Sequence, residues 1–279
     1  MSKALVEMLT ALADDELVLG HRHSEWTGFA PHIEEDVAFS SIAQDEIGHA
    51  AAYYSLVGKV SGDDPDHLAL GRTADEYRNA ILCERDNGDW GFTLARHWLY
   101  DHADEIRLES LEASSHEELA ALVTKIRREE RYHLLHADSW LKRVAQGPVE
   151  GRKRLADGMT KAFAEAGGLF EPFEREADAV EQGLLPVGSA ELQKRFLEEV
   201  SQKLDHLGIP TGAAGSSNEG AEFVASSSGD LIAGKPEADG EPASQSNGLG
   251  GRRGKRSQDF DRLWDDMTAM YRTNPGARW

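Results

Sequence analysis

Apolar residues recur at helical spacing along most of the chain. Leu5, Met8, Leu9, Leu12, Leu17 and Leu19 mark a first helix from residue 4 to about 25, ending before the TGFAP stretch. Pro31 stands where a second helix can begin, and HIEEDVAFSSIAQDEIGHAAAYYSLVGKV carries it to the turn at Gly62, Asp63, Asp64 and Pro65. Residues 66–85, with Tyr77, Ile81 and Leu82, suit a shorter helix or a pair of turns. After a break at Asn87 and Gly88, a long helix carries Phe92, Leu94, Trp98, Leu99 and Ile106 on its way to about residue 114. Ser115 followed by Glu118 is a capping-box pattern for a helix that runs to about Val144, stopped by Gln146, Gly147 and Pro148. A sixth helix is expected over 149–180, interrupted near Gly167 and Gly168, and a seventh over 189–206. Strand-type alternation is absent, so the fold class is all-α.

The pattern changes after residue 207. Residues 208–257 are dominated by glycine, serine, alanine and proline, too poor in apolar surface to offset chain entropy, and read as a flexible linker. Helical spacing then resumes over 258–279, where Phe260, Leu263, Trp264, Met267 and Tyr271 share one face that must dock on the bundle or on a partner. The expected organisation is therefore a helical bundle over 1–207, a linker over 208–257 and a docking helix over 258–279.

Charge narrows the partners. Fifty acidic against thirty basic residues give a net charge of −20, which disfavours nucleic acid and anionic membrane surfaces. The acidity fits either a high-salt cytoplasm or an ordinary acidic cytosolic enzyme. Cys83 is the only cysteine, so an intrachain disulfide and a thiolate metal site are both excluded. The N-terminal stretch carries acids where a signal peptide is apolar, and no apolar run approaches the roughly 18 residues of a membrane span. A cytoplasmic location is expected.

The chemistry lies in two Glu-x-x-His pairs, Glu46 with His49 and Glu130 with His133. On a helix each pair places its carboxylate and imidazole one turn apart on the same face. Four-helix bundles hold two metal ions with two such pairs and one further carboxylate from each of the other two helices. Glu16 stands thirty residues before Glu46, and Asp101 twenty-nine before Glu130. With hairpin turns near residues 30–31 and 114–116, each acid comes level with its pair. Four carboxylates and two neutral imidazoles balance two divalent ions, and this oxygen-rich set suits iron or manganese better than structural zinc.

Competing residues are few. Glu105 lies one turn from Asp101 on a similar face, whereas Glu25 is too near the turn to replace Glu16. His21, His23 and His32 cluster near the first turn and read as exposed or partner-facing. His97, His102 and His136 read as polar neighbours of the site, and Asp45 as a candidate to orient a ligand imidazole. Trp26, Trp90, Trp98 and Trp140 read as core or interface residues.

Several segments resemble the ferritin-like subunits of the bacterial multicomponent phenylacetyl-CoA epoxidase, the phenylacetic acid catabolic proteins. LADDELVLGHRHSEW, HIEEDVAFSSIAQDEIGHA, CERDNGDWGFTLARHWLYD, EERYHLLHADSW, GGRRGKRSQDF and NPGARW look like the non-catalytic PaaC-type subunit. That resemblance implies a ferritin-like bundle, a PaaA-type catalytic partner, a separate reductase and a CoA-thioester substrate. The long linker departs from the family outline. So does the ligand set: Glu16, Glu46, His49, Asp101, Glu130 and His133 match the ligand positions of the catalytic PaaA-type chain, where the PaaC-type chain has commonly lost them. A di-iron oxygenase component is one expectation. A structural component that stabilises its catalytic partner is a second, and an iron-handling ferritin-like protein is a third.

Overall fold

The computed structural model describes residues 2–211 and 247–274, and among them the chain forms ten α-helices and no strand. Two long antiparallel hairpins make the bundle: α1 (Lys3–Ser24) with α2 (Ile33–Ser61), and α5 (Trp90–Leu111) with α6 (Glu117–Ala145). The first starts where Ser2 accepts a hydrogen bond from the Leu5 amide at 3.4 Å. At the start of α2, His32 is the extended capping residue, so Pro31 precedes the helix rather than opening it. Gly62 closes α2 in the left-handed region, with φ of 88°.

The entry to α6 differs from expectation. His116 is its capping residue, with Nδ1 accepting from the Leu119 amide at 3.2 Å. Ser115 donates its hydroxyl instead to the carbonyl of Gln182 at 2.9 Å. The turn at Gln182 and Gly183 approaches closely enough to compete for the serine, and the imidazole takes over the cap.

Between the hairpins lie α3 (Pro65–Leu70), a 3₁₀ turn at Ala74–Glu76 and α4 (Ile81–Glu84), as the weaker periodicity there implies. After α6, α7 (Val149–Ala166) packs against α5 so tightly that a Cβ on Gly158 would lie 2.6 Å from the Phe92 amide nitrogen. The expected interruption of the sixth helix is a 3₁₀ turn at Gly167–Phe170, followed by α8 (Glu176–Glu181) and α9 (Ser189–Leu207).

The end of the expected linker is not linker-like. Residues 247–257 pack on the bundle: the backbone at Gly248 leaves no room for a Cβ on Gly168, and Arg252 is buried. Composition hides this because the anchors are arginines, which bind through carboxylates rather than through apolar burial. Arg252 meets Asp15 of α1 at 2.6 Å, and Arg256 meets Glu84 of α4 at 2.6 Å. The rest of the expected linker, residues 212–246, lies outside the described residues, as do residues 275–279 of the C-terminal segment.

The docking helix, α10 (Gln258–Thr273), lies on the bundle itself. Phe260, Leu263 and Met267 are buried, Phe260 edge-on to Tyr77, and the Trp264 indole donates to the Arg72 carbonyl at 3.0 Å. No helix among the described residues is long and apolar enough to cross a membrane.

Candidate metal centre

Leucine, valine and aromatic side chains fill most of the bundle, but its middle is polar. Glu16 from α1, Glu46 and His49 from α2, Asp101 from α5, and Glu130 and His133 from α6 are each no more than 4 % exposed. A helix turns its i, i+3 and i+4 positions to one side, so each Glu-x-x-His pair enters the interior together.

Glu16, His49 and Glu130 form the tightest group, one donor atom from each lying within 4.8 Å of the others. His49 Nδ1 is 3.3 Å from Glu16 Oε2 and 3.1 Å from Glu130 Oε1. His133 Nδ1 approaches the same Glu130 oxygen at 3.1 Å. The other two carboxylates stand beside this group and touch further imidazoles, Glu46 Oε2 lying 2.9 Å from His23 Nδ1 and Asp101 Oδ1 lying 3.3 Å from His97 Nδ1.

Outer acids hold the rings of the two Glu-x-x-His pairs crosswise. His49 Nε2 meets Glu129 of α6 at 3.0 Å, and His133 Nε2 meets Asp45 of α2 at 3.4 Å. Asp45 thus pairs with the imidazole of the opposite helix. Sequence reasoning misses Glu129, although it precedes Glu130 as Asp45 precedes Glu46. It also misses Tyr100, which donates to Glu16 Oε1 at 2.6 Å and has no signal beyond its place on a buried helix.

The competitors fall away. Glu25 is exposed and pairs with Arg22 at 2.8 Å, and Glu105 pairs with Arg127 at 2.7 Å. His97 and His136 are neighbours of the site, linked to each other at 3.3 Å, with His136 held by Glu35 at 2.8 Å. His102 binds Asp138 instead, at 3.1 Å. One expectation is overturned: His23 is fully buried rather than exposed. It stands seven residues after Glu16 on the same inward helical face, two turns along, which outweighs its nearness to the turn.

A cation fits this donor set. Glu46 Oε1 and Asp101 Oδ2 are buried without a partner. Unpaired buried carboxylates are costly, and oxygen with imidazole nitrogen is the donor chemistry of iron and manganese.

The buried acids also act on one another electrostatically. Burial, and then the carboxylates of Glu16, Glu130 and Asp101, push the Glu46 carboxyl well above its usual range. Burial and Glu130 do the same to Asp101. For His49, burial works downward but is outweighed by Glu130 and Glu16, which hold the imidazolium up to about 11. These groups bind protons more tightly in the folded state than in the unfolded one. Their contribution to stability is complete below the unfolded values and disappears as pH rises through the folded ones. For His49 that window runs from its ordinary 6.5 up to about 11. Thermal denaturation in a chelator should therefore show Tm falling from about pH 6 to about pH 9. Saturating iron should flatten that slope, because the cation takes the place of the protons.

Comparison with known proteins agrees with this architecture. The profile of the phenylacetic acid catabolic proteins matches residues 1–223. The C subunit of the 1,2-phenylacetyl-CoA epoxidase of Escherichia coli K12 is 27 % identical over 269 residues, 96 % of either chain. The A subunit of the same enzyme is 23 % identical over 214 residues, 74 % of this chain and 68 % of its own. A bundle of paired helical hairpins that places these acids and histidines at one level thus belongs to the phenylacetic acid catabolic protein family.

Proposed function

We propose that the chain is a component of a cytoplasmic multicomponent oxygenase of the 1,2-phenylacetyl-CoA epoxidase type, with a di-iron site on Glu16, Glu46, His49, Asp101, Glu130 and His133. The observation that carries this reading is the buried group of Glu16, His49 and Glu130, with unpartnered carboxylate oxygens of Glu46 and Asp101 buried beside it. Iron bound there supplies activation of dioxygen for ring epoxidation of a CoA thioester. The chain's own residues do the rest. Glu129 and Asp45 hold the His49 and His133 rings in orientation, and Tyr100 fixes Glu16. No nucleotide-binding motif is present in the sequence, so electrons come from a separate reductase.

A second reading is favoured by the comparisons, since similarity to the C subunit extends over 96 % of this chain and similarity to the A subunit over 74 %. In it the chain is a structural component that stabilises a PaaA-type catalytic partner. Purification with that partner and the reductase separates the two, using iron content and oxygen-dependent consumption of phenylacetyl-CoA. The oxygenase reading expects two irons on this chain and at least about a 100-fold loss of turnover in Glu46→Ala. Unchanged turnover in that variant, with loss on deleting residues 259–279, gives the structural reading instead.

A further inference from the structure

One to two helical turns from the metal-binding level, the bundle contains a second inward layer that neither reading uses. His23 of α1, His97 of α5 and His136 of α6 surround Phe39 of α2. The His23 and Phe39 rings are 5.1 Å apart, His23 and His97 5.1 Å, Phe39 and His97 5.3 Å, and Phe39 and His136 5.6 Å. Apolar side chains would fill such a layer at less cost. His23 in particular is fully buried, and its Nε2 has no hydrogen-bond partner. An unsatisfied buried nitrogen is destabilising unless something else requires the residue.

What His23 holds explains its presence. Its Nδ1 shares a 2.9 Å hydrogen bond with Oε2 of Glu46, and both side chains are almost wholly inaccessible. Oε1 of the same carboxylate is buried and unpartnered. One oxygen is therefore tied to a fixed ring and the other left to a cation. Phe39 and His97 both pack edge-on to that ring, so it has little freedom to turn. Glu46 lacks the support given to Glu16 by Tyr100, and His23 takes that place for it.

We infer that His23 is a positioning residue for Glu46: it locks one carboxylate oxygen so that Oε1 is presented for metal binding. The inference rests on the metal-site reading above. It adds to α1 a second role in the site, since Glu16 and His23 lie on one inward face of that helix, seven residues apart.

The test uses the full chain, His23→Leu and His23→Asn, titrated with ferrous iron and with cobalt(II) against a competing chelator. Melting of each metal-free protein is recorded alongside. Leucine fills the apolar layer but cannot hydrogen-bond Glu46, whereas asparagine places an amide near the position of Nδ1. Loss of an outer partner of a metal ligand typically weakens binding about 10–100-fold. The expected result is a loss of that size in His23→Leu, with metal-free Tm equal to or above the parent, and recovery of most of the affinity in His23→Asn. A residue that merely supports the fold would instead lower the metal-free Tm of His23→Leu. Parental affinity in His23→Leu, with the parent binding two ions, overturns the positioning role alone. A parent chain that binds neither metal overturns the metal-site reading and the positioning role together.

Discussion

Glu130→Gln should abolish tight iron binding, with affinity falling at least about 100-fold, beyond the usual effect of an outer partner. Glu130 is the electrostatic centre of the site, with both ligand imidazoles 3.1 Å from its Oε1. Burial pushes its carboxyl upward in pKa, but His133 and His49 outweigh that and hold it well below the usual carboxylate range. It thus keeps its charge where Glu46 and Asp101 are pushed toward their neutral forms. Glutamine keeps the volume and removes the charge. The metal-free variant should also lose stability, by up to about 3–5 kcal/mol, the cost of removing one partner from a buried ion pair. Release of the His49 proton will relieve part of that loss. Imidazole titration by NMR should therefore find His49 well below about 11, its position in the parent. Retention of two irons at parental affinity would remove Glu130 from the ligand set.

Arg252→Ala is expected to be the most destabilising change outside the proposed ligand set. The buried guanidinium meets Asp15 through both terminal nitrogens, at 2.8 and 2.6 Å. It also donates to the carbonyls of Ala11 at 3.1 Å, Arg78 at 2.8 Å and Leu169 at 3.2 Å. Truncation leaves Asp15, fully buried, with the Arg107 side chain and the Ala80 amide. A loss of about 3–5 kcal/mol follows from breaking such a buried pair. Arg252→Lys should recover less than half, because an ammonium keeps the charge but not the planar fork. Urea unfolding of the metal-free chain measures both. A parental midpoint for Arg252→Ala would show that the clamp adds nothing to the fold.

The site is more legible in the sequence than the way the chain closes around it. Two Glu-x-x-His pairs and their level acids can be placed because helical spacing and hairpin length fix height in a bundle. The start of α6 is harder to place because a capping box is a local signal, and Ser115 has a distant partner in Gln182. His23 misleads for a similar reason: nearness to a turn suggests exposure, while the phase it shares with Glu16 turns it inward. Residues 247–257 mislead most. A glycine-rich, basic segment reads as linker when only apolar burial is counted. Its arginines find their acids in α1 and α4, on partners far away in sequence.

Those partners impose an order on the birth of the protein. Asp14, Asp15 and Glu16 are consecutive, and each is buried. Asp14 meets Arg72, 58 residues later, and Glu16 meets Tyr100, 84 residues later. Asp15 obtains its forked arginine only 237 residues on. Nearer partners come first, His49 for Glu16 and the Ala80 amide and Arg107 for Asp15, so in a nascent chain only the last contact of Asp15 waits for Arg252. Until Arg252 emerges, α1 carries a charge that half of its final counter-ions cannot yet reach, so an interrupted polypeptide is left recognisably unfinished at its first helix.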